Sequence, residues 1–218
     1  DAHRPFIKSK QGLPADPLTA DQVKTMAYIG LESEGLRQQV ADYYNCMARL
    51  DALVGDLLAK LKASGKYEDT LIVYMGDHGA DLIRGKRTCY EGGVRVPLII
   101  RLPKGKVGQE RRELVSSLDL FPTFLEVSGA EPVSDLPGSS LLPLLRGEQA
   151  KWRQYMPTEF HLHSAHNYYP QRAVRNDRYK LIENLQPGEV DPGYEFTVNR
   201  FFGQQVLAAL PKAPKKVQ

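Results

Sequence analysis

The stretch Thr70-Leu71-Ile72-Val73-Tyr74-Met75-Gly76-Asp77-His78-Gly79 decides the fold. Its first six residues are β-prone and apolar on both faces, which predicts a strand buried inside an α/β sheet. At Gly76 the chain turns polar and glycine-bearing. Asp77 and His78 therefore sit just past the carboxyl end of the strand, where open α/β sheets bind their ligands. A carboxylate suits a hard cation, and imidazole suits zinc, manganese or iron better than calcium. On the dipeptide alone, a turn-capping aspartate beside a surface histidine is the more economical reading.

Upstream, Val40, Tyr43, Tyr44, Met47, Leu50, Val54, Leu57, Leu58 and Leu61 recur at steps of three and four. They predict one amphipathic helix over residues 36–63, closed by Gly65. Residues 1–36 are irregular, with a short helix expected from Thr19. Downstream comes Gly85-Lys86-Arg87-Thr88-Cys89-Tyr90-Glu91-Gly92-Gly93-Val94-Arg95-Val96-Pro97. This loop is basic and glycine-rich. A lysine in it can hold an anion as a point charge, although a solvated loop gives the same pattern. A second buried strand is expected over 94–102. A helix is expected over 114–127, with Pro122 tolerated if the first turn begins near 117–119. A loop follows to residue 150. From about Lys151 short strands at 156–161, 173–174 and 178–182 predict a small antiparallel sheet, with Asn176-Asp177 at a hairpin turn. A last helix is expected over 203–210.

Composition narrows the classes. The 218 residues are 42% apolar and 25% charged, which is globular and excludes wholesale disorder. The longest apolar runs fall far short of the ~20 residues that span a bilayer. A net charge of +3 is too mild to argue for nucleic acid. Cys46 and Cys89 make neither a disulfide framework nor a zinc motif.

In order and together, these motifs resemble the second half of the sulfatase family, within the alkaline phosphatase superfamily. The match runs from Asp69 through Asp77-His78-Gly79 to Lys86-x-Thr88-x-Tyr90-Glu91-Gly92-Gly93-Val94-Arg95-Val96-Pro97. It continues through Val115–Gly129 and the loop from Gly138 to Gly147. A narrower likeness lies in Glu159-Phe160-His161-Leu162-His163-Ser164-Ala165-His166-Asn167-Tyr168-Tyr169-Pro170-Gln171-Arg172, followed by Tyr179-Lys180 and Asn184-Leu185. That pattern resembles the heparan N-sulfatases, which act on N-sulfoglucosamine.

The resemblance implies a hydrolase of sulfate esters or sulfamates with a formylglycine nucleophile and a divalent cation, calcium first. Asp77 and His78 match the late pair of metal ligands, and the histidine leaves the metal's identity open. Lys86 matches the residue that grips the sulfate. His3, in Asp1-Ala2-His3-Arg4-Pro5, matches a histidine that binds sulfate or assists the leaving group. His163, His166 and Arg172 are candidates for reading the sugar, His163 foremost. Arg175 is a weaker candidate of the same kind, and Arg95 is expected to pair with Glu91. Developing charge on sulfate oxygens calls for a cation, an ammonium and an imidazole aimed at it.

The departures matter as much. No Cys/Ser-x-Pro-x-Arg motif and no early Asp-Asp pair occur in these residues. The chain is therefore expected to be the C-terminal part of a longer sulfatase and inactive alone. The expected architecture is α/β: residues 1–150 form part of a mixed, helix-flanked sheet, and 151–218 a small antiparallel subdomain with a terminal helix. An exposed sheet edge makes a homodimer conceivable. A sulfated glycan is the expected partner, without nucleic acid or a membrane span. On family grounds the parent is periplasmic, secreted or lysosomal. Three rivals stay open: an O-sulfatase or arylsulfatase, a phosphonate or phosphodiester hydrolase of the same superfamily, and a non-catalytic anion-binding module.

Overall fold

The computed structural model describes residues 14–82, 84–163 and 168–192. His3, His166 and the helix expected over 203–210 lie outside the described residues. The order is helix α1 (Glu34–Ala63), strand β1 (Ile72–Met75), helical turn α2 (Glu91–Val94), strand β2 (Leu98–Arg101), helix α3 (Leu120–Ser128), helical turn α4 (Leu142–Leu145) and strands β3 (Met156–Phe160), β4 (Gln171–Arg175) and β5 (Lys180–Asn184). The class is α/β, as expected.

Helix α1 starts where the Ser33 side chain accepts the amide hydrogen of Leu36. This satisfies one of the donors that a helix start leaves unpaired. It ends at Ser64 and Gly65, whose φ of 73° is one that glycine adopts without strain. Its thirty residues rise about 45 Å. Leu36, Val40 and Ala41 are buried, and Asn45 pairs through its side-chain amide with the N–H and C=O of Leu18 at 2.8 and 2.9 Å. Those bonds fasten the preceding segment to the helix. The apolar stripe is buried only over this first half. Leu50, Leu53 and Leu57 are exposed among the described residues.

Strands β1 and β2 pair antiparallel, with Ile72 opposite Arg101 and Met75 opposite Leu98. The expectation of two deeply buried strands is corrected here. All four residues of β1 are only half-buried, and Ile99 on β2 is 64% exposed. The second strand is also shorter than the apolar run, because Glu91–Val94 coil into a helical turn that keeps the run's first residue out of the ladder. Arg101 ends β2 by stacking over the Tyr67 ring at 4.0 Å and donating to the Tyr67 carbonyl at 2.8 Å.

Helix α3 forms with Pro122 in its first turn, where a missing N–H leaves no helical bond unmade. Gly129 closes it in the left-handed region. Below it lies Asp119, fully buried. Its oxygens accept from both Arg153 terminal nitrogens at 2.5 and 2.6 Å, and from the amides of Ser116 and Ser139 at 2.7 and 2.9 Å. Burial alone would raise this carboxyl's pKa. The guanidinium and the two amides outweigh it and hold the carboxyl below the usual range. The loop expected after α3 contains the turn α4, whose Leu142 and Leu144 are buried.

Strands β3, β4 and β5 form one antiparallel sheet in that order. The hairpin between β4 and β5 turns on Asn176, whose side-chain oxygen accepts the amides of Arg178 and Tyr179. On β4, Gln171, Ala173 and Arg175 face inward while Arg172 and Val174 are exposed, the period of two that a half-covered strand requires.

A candidate anion and metal site at the end of the first strand

The two loops singled out in the sequence are folded into each other. The Gly79 amide donates to the Gly93 carbonyl at 2.8 Å, and the Lys86 amide donates to the Ala80 carbonyl at 2.8 Å. The backbones approach so closely that glycine is required. A Cβ on Gly79 would stand 1.6 Å from the Gly92 oxygen, and one on Gly93 would stand 2.4 Å from the Thr88 oxygen. Between them Arg87 adopts a φ of 74°, a conformation that costs a side chain about 1–3 kcal/mol. Its ion pair with Asp81 at 2.6 Å helps to hold it there.

At the end of β1 the Asp77 carboxylate and His78 Nε2 lie 3.4 Å apart. His78 Nδ1 is 2.8 Å from the Gly79 carbonyl. A hydrogen on Nδ1 donated to that carbonyl leaves the Nε2 lone pair beside Asp77. A second hydrogen bond that orients a ligating imidazole is the usual support of a metal ligand. These two donors fit one side of a divalent cation. Among the described residues no group of three or more His, Cys, Asp or Glu side chains could complete it.

Lys86 is half-buried, and among the described residues its ammonium makes no ion pair. It lines the same open cleft of about 1850 Å³ as Asp77, His78 and His163. His163 stands close enough to feel several of these charges. Its pKa is lowered first by desolvation and then by Lys86 and Arg87, with Asp81 opposing. The structure therefore brings Asp77, His78, Lys86 and His163 to one region. Arg172 is not brought there. It projects from the exposed face of β4, in register with Glu159 and Glu183 on its two neighbours. His161 pairs with Glu159 at 3.4 Å.

The partner expected for Arg95 is also corrected. The oxygens of Glu91 accept instead from Arg175 at 2.7 Å and Lys180 at 2.9 Å, while Arg95 is exposed. Sequence reasoning treated Arg175 as a glycan contact and missed Lys180. The alternation of β4 and β5 that places both cations at one hairpin end was the available signal.

The family model for sulfatases matches residues 3–130, and that for the C-terminal part of N-sulphoglucosamine sulphohydrolase matches residues 76–195. N-sulphoglucosamine sulphohydrolase from Homo sapiens is 30% identical over 185 residues, 75% of this chain and 36% of that protein. N-acetylglucosamine-6-O-sulfatase from Bacteroides thetaiotaomicron is 35% identical over 155 residues, 67% of this chain and 28% of that protein. The chain thus spans about a third of the length of the curated relatives it matches. A solved protein in complex with its substrate D-glucosamine-2-N,6-O-disulfate superposes with a TM-score of 0.59 at 29% identity, covering 82% of this chain and 39% of that one.

Proposed function

The chain belongs to the sulfatase family, and on that premise we propose that it supplies the sulfate-gripping half of a sulfohydrolase that removes the N-linked sulfate of glucosamine in heparan-type glycans. The observation that carries the reading is Lys86, a half-buried residue with no ion pair among the described residues, which lines one cleft with Asp77, His78 and His163. An ammonium that is not engaged in an ion pair is available to hold an incoming anion as a point charge. The match of residues 76–195 to the N-sulphoglucosamine sulphohydrolase C-terminal family favours the N-sulfate over other sulfates.

Hydrolysis of a sulfamate cleaves the N–S bond. The water oxygen ends in sulfate and the nitrogen leaves as an amine that has gained a proton. In this chain Lys86 donates to a sulfate oxygen and offsets charge that grows as the bond breaks. Asp77 and His78 are the residues that would hold a divalent cation, calcium by family, which when bound neutralises sulfate oxygens. The family's formylglycine, the nucleophile, would be supplied from outside these residues. His163 borders the sugar side. His3 is the proton donor that the family pattern suggests for the leaving amine. The compartment we infer is periplasmic, secreted or lysosomal.

The test is sulfate release by the enzyme that carries this chain, assayed on N-sulfoglucosamine and on N-acetylglucosamine-6-sulfate. Release from the first with little from the second is the expected result. The reverse preference would assign an O-sulfatase, the reading that the 6-O-sulfatase relative favours. Release from neither would reject both.

A further inference from the structure

We propose that Glu91 is a positioning residue that docks the 86–94 loop onto the β4–β5 hairpin and so fixes where Lys86 presents its ammonium relative to His163. Arg175 ends β4 and Lys180 begins β5, and the two are register partners across the hairpin. Each gives its charge to a different Glu91 oxygen, at 2.7 and 2.9 Å. The partners lie 84 and 89 residues further along the chain, so the contact joins distant segments.

The other end of the same strand is pinned as well. The Cys89 amide donates to the Gln171 side-chain oxygen at 3.2 Å, and Cys89 Sγ reaches the Gln171 carbonyl at 3.8 Å. Gln171 and Arg175 are the first and last residues of β4 and share its inward face. Residues 89–91 are therefore laid along the strand and held at both ends. Cys89 is fully buried by that docking.

From Cys89 back to Lys86 little slack remains. Thr88 Oγ1 donates to the Gly85 carbonyl at 2.8 Å, and the Lys86 amide is held by Ala80. The sheet that receives the loop carries His163 three residues beyond the end of β3. Glu91 is thus the charged link between the element bearing Lys86 and the element bearing His163. Burial pushes its pKa upward, and Lys180 and Arg175 more than reverse that, so it stays ionised at neutral pH. The functional meaning of the link rests on the reading of Lys86 given above; the link itself does not.

Hydrogen exchange on the full chain tests it. Glu91→Gln is expected to speed exchange of the Lys86 and Cys89 amides about tenfold more than amides within α1, whose change reports global stability. Glu91→Asp should restore part of the protection. Lys180→Met, which removes one of two cations, should give the same pattern more weakly and serves if Glu91→Gln does not fold. Unchanged protection at Lys86, or loss at Cys89 alone, overturns the proposal. A parallel titration with inorganic sulfate, read on the His163 ring protons, separates the two readings. Lys86→Ala should abolish the response. If it does not, the role given to Lys86 fails while the exchange result still decides the role of Glu91.

Discussion

The amide of Gly79 and the carbonyl of Gly93 meet at 2.8 Å, and this bond locks the loop after β1 into the loop before β2. Fourteen residues apart, the two glycines make one structure of two motifs that are separate in sequence.

Gly79→Ala should therefore be destabilising by about 1–3 kcal/mol or more, since a methyl 1.6 Å from the Gly92 oxygen cannot be accommodated by rotating a side chain. Gly55→Ala is the matched control. Gly55 lies inside α1 with nothing within 4 Å of a new Cβ, so alanine there should stabilise by about 0.5–1 kcal/mol. Urea midpoints of the two variants check the opposite signs.

Asp119 predicts an acid-side loss of stability. Its folded pKa is depressed, so its contribution is present above the unfolded value of about 3.9 and is lost as pH falls through the lower folded value. Asp119→Asn leaves the half-buried Arg153 against a neutral amide and should cost about 3 kcal/mol at pH 7. Chemical denaturation from pH 3 to 7 should show the gap between wild type and variant narrowing as the pH drops below 4. A constant gap would contradict the assignment.

Lys86→Met separates function from stability. In the enzyme that carries this chain, the change should lower kcat/KM for a sulfated hexosamine by roughly 100-fold, the usual scale for one lost charge-stabilising donor. The urea midpoint should stay level, because no ion pair of Lys86 among the described residues is lost. A fall in the midpoint with activity retained would show a structural lysine.

The depressed pKa of His163 offers a check on proximity. Lys86 and Arg87 are among its causes after desolvation. Removing the charge in Lys86→Met should raise the His163 midpoint in an NMR titration, and Arg172→Ala, on the outer face of β4, should not.

Much of this was legible in the chain. The helix α1, the strand before Asp77 and the Asn176 turn follow from periodicity and turn chemistry, because those signals are local. The depth of the strands was not. An apolar run reports that a segment wants cover, while Ile99 shows that cover depends on what stands opposite. Asp77, His78 and Lys86 were singled out through the family resemblance, since residue type and spacing alone favoured a plain polar loop, and the folding of their two loops onto each other is what the structure adds. Their pairings were harder, since Glu91 had Arg95 four residues away in sequence and chose Arg175 and Lys180 in space. The face that Arg172 takes was hidden for a similar reason: the motif names a residue, and only strand register says which side of β4 it occupies.

The carboxylate of Asp119 meets its guanidinium 34 positions later, and the Trp152 indole beside that guanidinium donates to the Leu114 carbonyl at 2.8 Å. A deletion series trimmed from the carboxyl end should hence not decline smoothly. Stability ought to drop in two steps, first when trimming past residue 171 frees residues 89–91 and again once residue 153 is lost, so anyone cutting the chain for crystallisation or fusion should keep the whole β3–β5 sheet.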